Sequence, residues 1–154
     1  LIIINILIKI KPDKEAAINF IHKIKKIGTH KFLSGVFHLY ESFVAIWDNK
    51  IEEGINLLQN ALKKKDNNLL INSFMADQED PILLLLSKKQ YHSVLKIFEN
   101  EELNLKEKFK PIYYALMHYL KDEIPNEYLK MGDELKQPVA DVMKRVEEME
   151  ELYK

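Results

Sequence analysis

The chain has 154 residues, is 47% hydrophobic and 31% charged, and carries a net charge of −1 with no cysteine. A chain of that length makes one domain that buries about 70% of its unfolded surface, so it needs no covalent staple. The missing cysteines exclude a disulfide framework, a thiolate zinc site and a cysteine nucleophile. A near-neutral balance disfavours general nucleic-acid binding, which draws on excess Lys and Arg. Arg145 is the only arginine, so the guanidinium fork that grips phosphate or carboxylate bidentately is almost missing. Four glycines and five prolines leave little room for a turn-dense β fold.

The opening segment Leu1-Ile-Ile-Ile-Asn-Ile-Leu-Ile-Lys-Ile10 is apolar, but half the length of a bilayer-spanning helix. It lacks the basic lead and small-residue tail of a signal peptide. It is expected to be a core element of a soluble, cytoplasmic protein, within a piece of a longer chain. Its periodicity fits a buried helix and a strand equally well.

Three later segments align with one another: 13–21 (DKEAAINFI), 50–58 (KIEEGINLL) and 90–98 (QYHSVLKIF). Each starts polar, then places a small or β-branched residue (Ala17, Gly54, Val94) four positions before a bulky one. An apolar stretch precedes each (1–10, 32–47, 82–86), joined by a short polar turn: Lys11-Pro12, Asp48-Asn49 and Ser87-Lys88-Lys89. The unit therefore reads as apolar helix, tight turn, amphipathic helix. Phe32, Val36, Tyr40, Phe43 and Trp47 mark the first helix of the middle unit. Ile51, Gly54, Ile55, Leu58, Ala61 and Leu62 mark its second, at spacings of three and four. Asp66-Asn67-Asn68 supplies turn chemistry after it.

Residues 51–62 (IEEGINLLQNAL) resemble the second helix of a tetratricopeptide repeat, with Gly54, Leu58 and Ala61 on its small, bulky and small positions. The stretch from Phe109 to Met149 resembles the last segment of repeat arrays appended to bacterial STAND-type signalling NTPases. The resemblance implies a sensor or scaffold arm of a larger protein. The NTPase phosphate loop itself, GxxxxGK[ST], does not occur in these residues.

Pro111 sits in a first helical turn, ahead of a stripe of Ile112, Ala115, Leu116, Tyr119 and Leu120. Ile124-Pro125-Asn126 breaks that helix, and Gln137-Pro138 is expected to start the last one. Val139, Val142, Met143, Val146 and Met149 line its inner side, opposite Asp141, Lys144, Arg145, Glu147, Glu148 and Glu151. Such a charged outer face suits a terminal capping helix. The expected fold is all-α: stacked antiparallel hairpins, a tetratricopeptide-like α-solenoid with a C-terminal capping helix. Residues 1–154 form a single helical-repeat domain, with hairpin units at about 1–27, 30–66, 80–100 and 106–154. The alternative is a ferredoxin-like βαββαβ arrangement over residues 1–78, with strands at 4–10, 36–40, 43–47 and 69–75, followed by helices.

The chemistry-bearing residues are sparse. Among the five histidines, His38 and Glu41 stand one helical turn apart without a further ligand at metal spacing. No serine has a recognised nucleophile turn. Acidic pairs such as Glu52-Glu53 sit on exposed faces, unsuited to glycosidase-type acid–base work. Neither a catalytic residue, a metal nor a cofactor is expected. The lysine cluster Lys23, Lys25, Lys26 and Lys31, flanked by Phe20 and Phe32, admits an RNA-binding reading. Tyr114 and His118, four residues apart, share a helical face, and tyrosine favours recognition surfaces. The function expected is non-catalytic protein or peptide binding, with His38, Glu41, Tyr114 and His118 as contacts. Under the βαββαβ fold it would be a small-ligand regulatory module.

Overall fold

The computed structural model describes residues 2–28, 34–64, 78–121 and 133–154. Of these, 84% are helical and none lies in a strand. The fold is all-α, and the βαββαβ alternative is overturned: 4–10, 36–40 and 43–47 are all helical. Its fourth strand, 69–75, lies outside the described residues. Residues 4–10 alternate although helical, because isoleucine stands both on the buried side (Ile4, Ile8) and on the exposed side (Ile6, Ile10), so a period of two arises without a sheet. The described residues group into two compact units, 1–81 with Tyr153 and 82–152 with Lys154.

In the first unit, α1 (Ile2–Asn5) runs into a π-helical turn, Ile6–Ile10, followed by α2 (Lys14–Ile27), α3 (Ser34–Trp47) and α4 (Ile51–Lys63). The Asp13 carboxylate caps α2 by accepting from the Ala16 amide at 2.9 Å, one of the donors a helix start leaves orphaned. Gly28 ends α2 with φ of 77°, a left-handed conformation that glycine adopts without a Cβ penalty. In α3, Val36, Phe37 and every residue from Leu39 to Trp47 are buried.

The joint between α3 and α4 is a Schellman turn. Asn49 sits at φ 60°, its amide donates to the Ile46 carbonyl at 3.0 Å, and the Lys50 amide donates to Ala45 at 2.8 Å. This reverses the chain at once and brings α4 hard against α3. Gly54 is where they meet: the Ser42 hydroxyl donates to its carbonyl at 2.7 Å. A Cβ there would fall 2.5 Å from Ile46 Cγ1 and 3.2 Å from the Ser42 carbonyl oxygen. Only a residue without a side chain lets α4 come this close to α3. Tyr153 also packs in this unit, edge-on to Phe43 and Trp47 at 5.0 and 5.1 Å. Its hydroxyl donates to the Ile8 carbonyl at 2.9 Å.

The second unit takes in α5 (Asp80–Ser87) from Ile82 onward, then α6 (Tyr91–Phe98), a 3-10 turn (Glu101–Leu103), α7 (Leu105–Lys108), α8 (Lys110–Leu120) and α9 (Asp133–Leu152). The α5–α6 joint repeats the earlier one: Lys89 takes φ 60°, and the Lys89 and Gln90 amides donate to Leu86 and Leu85. The two turns lie forty residues apart and share their bonding pattern. Tyr91 stacks on Tyr119 at 5.1 Å and Phe98 on Tyr113 at 5.9 Å, which fixes α6 antiparallel to α8. Val139, Val142 and Val146 are the buried side of α9, and Asp141, Lys144, Glu147, Glu148 and Glu151 are exposed. The last helix differs from expectation at its start. It includes Asp133 and holds Pro138 inside, where the ring removes one backbone bond but the flanking helix carries the residue. Asp66-Asn67-Asn68 and Ile124-Pro125-Asn126 lie outside the described residues. Among the described residues no helix is long and apolar enough to cross a membrane.

Two outcomes follow for stability. Gly54→Ala should destabilise by about 1–3 kcal/mol through overpacking, and Lys89→Gly should stabilise by roughly 0.5–1 kcal/mol by relieving a left-handed lysine; chemical denaturation of both variants measures the difference. Burial pushes the Tyr153 and Tyr119 hydroxyls from the ordinary 10.0 up to about 12. The folded state keeps those protons while the unfolded chain loses them. Stability is therefore full below pH 10 and falls between about pH 10 and 12. Ultraviolet tyrosine titration should show Tyr119 and Tyr153 ionising late, and Tyr153→Phe should remove part of that late amplitude.

Candidate functional site

The first unit holds a small polar cleft of about 60 Å³ where α2, α3 and α4 meet. Ile18, Ile21, His22 and Lys25 reach it from α2, spaced by three and four as one helical face requires. α3 brings Glu41 and Asp48, the joint brings Lys50, and α4 brings Glu53. A volume of this size holds about two waters and falls well short of the roughly 300–1,000 Å³ of small-molecule sites. It can take a side chain from a partner; it cannot enclose a metabolite.

Glu41 is the least expected group here, because it is a carboxylate only 6% exposed on a largely apolar helix. A buried carboxylate is tolerated when paired. The Lys25 ammonium lies 2.8 Å from its Oε1, and His38 Nε2 lies 3.8 Å from its Oε2. Lys25 itself is half exposed, so the pair opens on solvent at one end. At the other side of the cleft Lys50 Nζ sits 2.9 Å from Asp48 Oδ2, with Lys14 at 4.0 Å from the other oxygen. The Lys50 hydrogen bond holds the Asp48 carboxyl below its usual range, more than desolvation raises it. The same bond pushes the Lys50 ammonium up.

The residues expected as contacts fall into the two units. His38 and Glu41 are together in the first, joined by Lys25. In the second, Tyr114 is 2% exposed, with its ring 6.0 Å from that of Tyr113. His118 is half-buried near the end of α8, and its carbonyl accepts the Lys121 amide at 3.1 Å. The more accessible aromatic is Tyr113, under the Lys106 ammonium at 5.4 Å. Sequence reasoning missed Lys25 and His22 as partners of this cleft. The signal was the α2 face 18-21-22-25, which places two polar side chains beside two isoleucines. Of the lysine cluster, Lys25 is engaged by Glu41 and Lys31 lies outside the described residues.

Comparison with family models, with curated proteins and with solved structures finds no match for this chain. Removing the exposed partner of the buried acid tests the cleft's electrostatics. Lys25→Met should cost about 1–2 kcal/mol, below the 3–5 of a fully buried pair because water can reach the site. The double variant Lys25→Met with Glu41→Leu should recover most of that loss in a denaturation-based mutant cycle.

Proposed function

We propose that this chain is a tetratricopeptide-like array of helix hairpins working without catalysis, as a protein-binding or scaffolding segment of a larger intracellular signalling protein. The observation that carries the reading is the repeated joint: the same left-handed residue and the same pair of closing amide bonds at Asn49 and at Lys89. Recurring hairpins of one build are what repeat proteins use to display side chains on a rigid frame. The cleft adds the recognition chemistry. Its size suits one inserted side chain, and His22, Lys25 and Glu41 offer donors and an acceptor at its walls, with His38 Nε2 3.8 Å from the other Glu41 oxygen. His118 is a candidate contact of the second unit, and the buried Tyr114 acts by holding α8 in place.

Selection of phage-displayed peptides on the intact chain tests this. Enriched peptides should bind the parent with micromolar constants and lose roughly tenfold or more on His22→Ala with His38→Ala. An exposed control, Glu101→Gln, should bind as the parent does. Failure to enrich any peptide, or equal binding by the histidine variant, removes the cleft as a recognition site.

A further inference from the structure

Charge and apolar surface come together at the N-terminal hairpin. Residues 1–31 carry seven lysines against two acids. Part of that charge is used inside the unit: Lys9 Nζ lies 2.6 Å from Asp80 Oδ2, Lys25 is held by Glu41, and Lys14 lies 4.0 Å from Asp48. Lys11, Lys23 and Lys26 are exposed and have no ion-pair partner among the described residues. Lys11 directly follows an apolar stripe. Ile2 and Ile10 stand four positions either side of Ile6, and Ile3 three before it, so the four share one helical face. Ile2, Ile3, Ile6 and Ile10 are 68%, 55%, 40% and 73% exposed, while Ile4 and Ile8 opposite are 1% and 2% exposed. Four such side chains approach the roughly 300–600 Å² patch that marks an interaction site. α2 packs along this stretch. Packed helices lie about 8–10 Å apart, close to one Debye length at physiological salt. Lys23 and Lys26 therefore add to the positive field of Lys11 over the stripe.

That combination selects the occupant. A like copy brings the same lysines and is repelled. Nucleic acid matches the charge, but an isoleucine row offers no ring on which a base can stack. A peptide helix needs a groove to receive its anchors, and these isoleucines stand on the outer side of a helix. A fluid apolar layer moulds itself to such a row, and anionic headgroups complement the lysines around it. We propose that residues 2–10 lie on the surface of an anionic lipid bilayer. Ile2, Ile3, Ile6 and Ile10 seat at the boundary of headgroups and acyl chains, with Lys11, Lys23 and Lys26 against the headgroups. The stretch is half of what a span requires, so the contact is interfacial. It is separate from the cleft, which none of these isoleucines lines.

Co-sedimentation of the intact chain with vesicles tests this. Phosphatidylcholine vesicles with about 30% phosphatidylserine should bind it, and pure phosphatidylcholine about tenfold or more weakly. Raising the salt from about 0.1 to 0.5 M should weaken binding severalfold and leave the apolar part. Ile6→Ser with Ile10→Ser, both at exposed positions, should keep the helical circular dichroism and lose roughly tenfold in partitioning. Lys23→Gln with Lys26→Gln should lose about tenfold or more, at about fivefold per lysine near the surface. Because the chain has no cysteine, Ile6→Cys carrying an environment-sensitive dye gives a second readout. Its emission should shift to the blue on anionic vesicles, and that of Glu52→Cys on α4 should not. No binding at about 1 mM anionic lipid overturns the proposal. So does equal binding to neutral vesicles, or an isoleucine variant that binds as the parent does. Self-association, or capture of a glutamate-rich amphipathic peptide, without vesicle binding assigns the stripe to a protein and overturns it too.

Discussion

The closeness of α3 to α4 governs the first unit. The Schellman joint at Asp48-Asn49-Lys50 reverses the chain within three residues, so α4 starts already in contact with the end of α3. At Gly54 no side chain fits, and Ser42 reaches across to the Gly54 carbonyl at 2.7 Å. That hydrogen bond contributes about 1 kcal/mol, but its larger effect is positional. With α4 on one side and α2 packed alongside, α3 is buried on nearly its whole circumference. Any polar residue on α3 must then be satisfied from a neighbouring helix. Glu41 is such a residue, and Lys25 from α2 satisfies it. The polar cleft is thus a consequence of tight helix packing around one retained carboxylate.

A similar constraint works through aromatic rings in the second unit. Two stacked pairs, Tyr91 with Tyr119 and Phe98 with Tyr113, stand one at each end of the α6–α8 contact. Rings seven residues apart on α6 meet rings six apart on α8, nearly the same rise at 1.5 Å per residue. Register and direction are both set by that match. The pairs are worth roughly 0.5–1.5 kcal/mol each beyond their buried area, and they fix which side of α8 faces inward. Ala115 and Leu116 are fully buried as a result, and Tyr114 nearly so.

Much of this was legible in the sequence, for identifiable reasons. Gly54, Leu58 and Ala61 announced the inner side of α4 because small residues at helical spacing have few other uses, and all three are buried. Asn49 was readable as a turn residue, since asparagine tolerates the left-handed region. Lys89 was placed in its turn by the polar run Ser87-Lys88-Lys89, but its left-handed conformation was not readable, because lysine has no such preference and only the turn's bonding imposes it. Helix and strand could not be separated for 1–10, where apolar side chains on every side erase the period. The Lys25–Glu41 pair was hidden for another reason: its members lie on different helices, and no local spacing encodes that contact. Tyr114 shared a face with His118, yet sharing a face does not say whether the face is covered. That depends on α6 and α9, which pack against α8 from elsewhere in the chain.

The π-helical turn at Ile6–Ile10 ties these threads together at the N-terminal helix. Its wider winding, seen in the Lys11 amide donating to the Ile6 carbonyl five residues back, shifts the phase of Lys9 relative to a regular helix. Lys9 thereby faces Asp80, which is only 4% exposed and so depends on a cationic neighbour. The Ile8 carbonyl lies in the last turn, where backbone acceptors lack an intrahelical donor, and it receives the Tyr153 hydroxyl, 145 residues away in sequence. The ring of that tyrosine lies edge-on to Phe43 and Trp47 of α3. A contact of such long range closes late, after local hairpins have formed, because its loop entropy must be offset by packing already in place. Ile6, Lys9 and Ile10 all stand on the exposed side of this turn, and Lys9 reaches the buried Asp80 only through the end of its side chain.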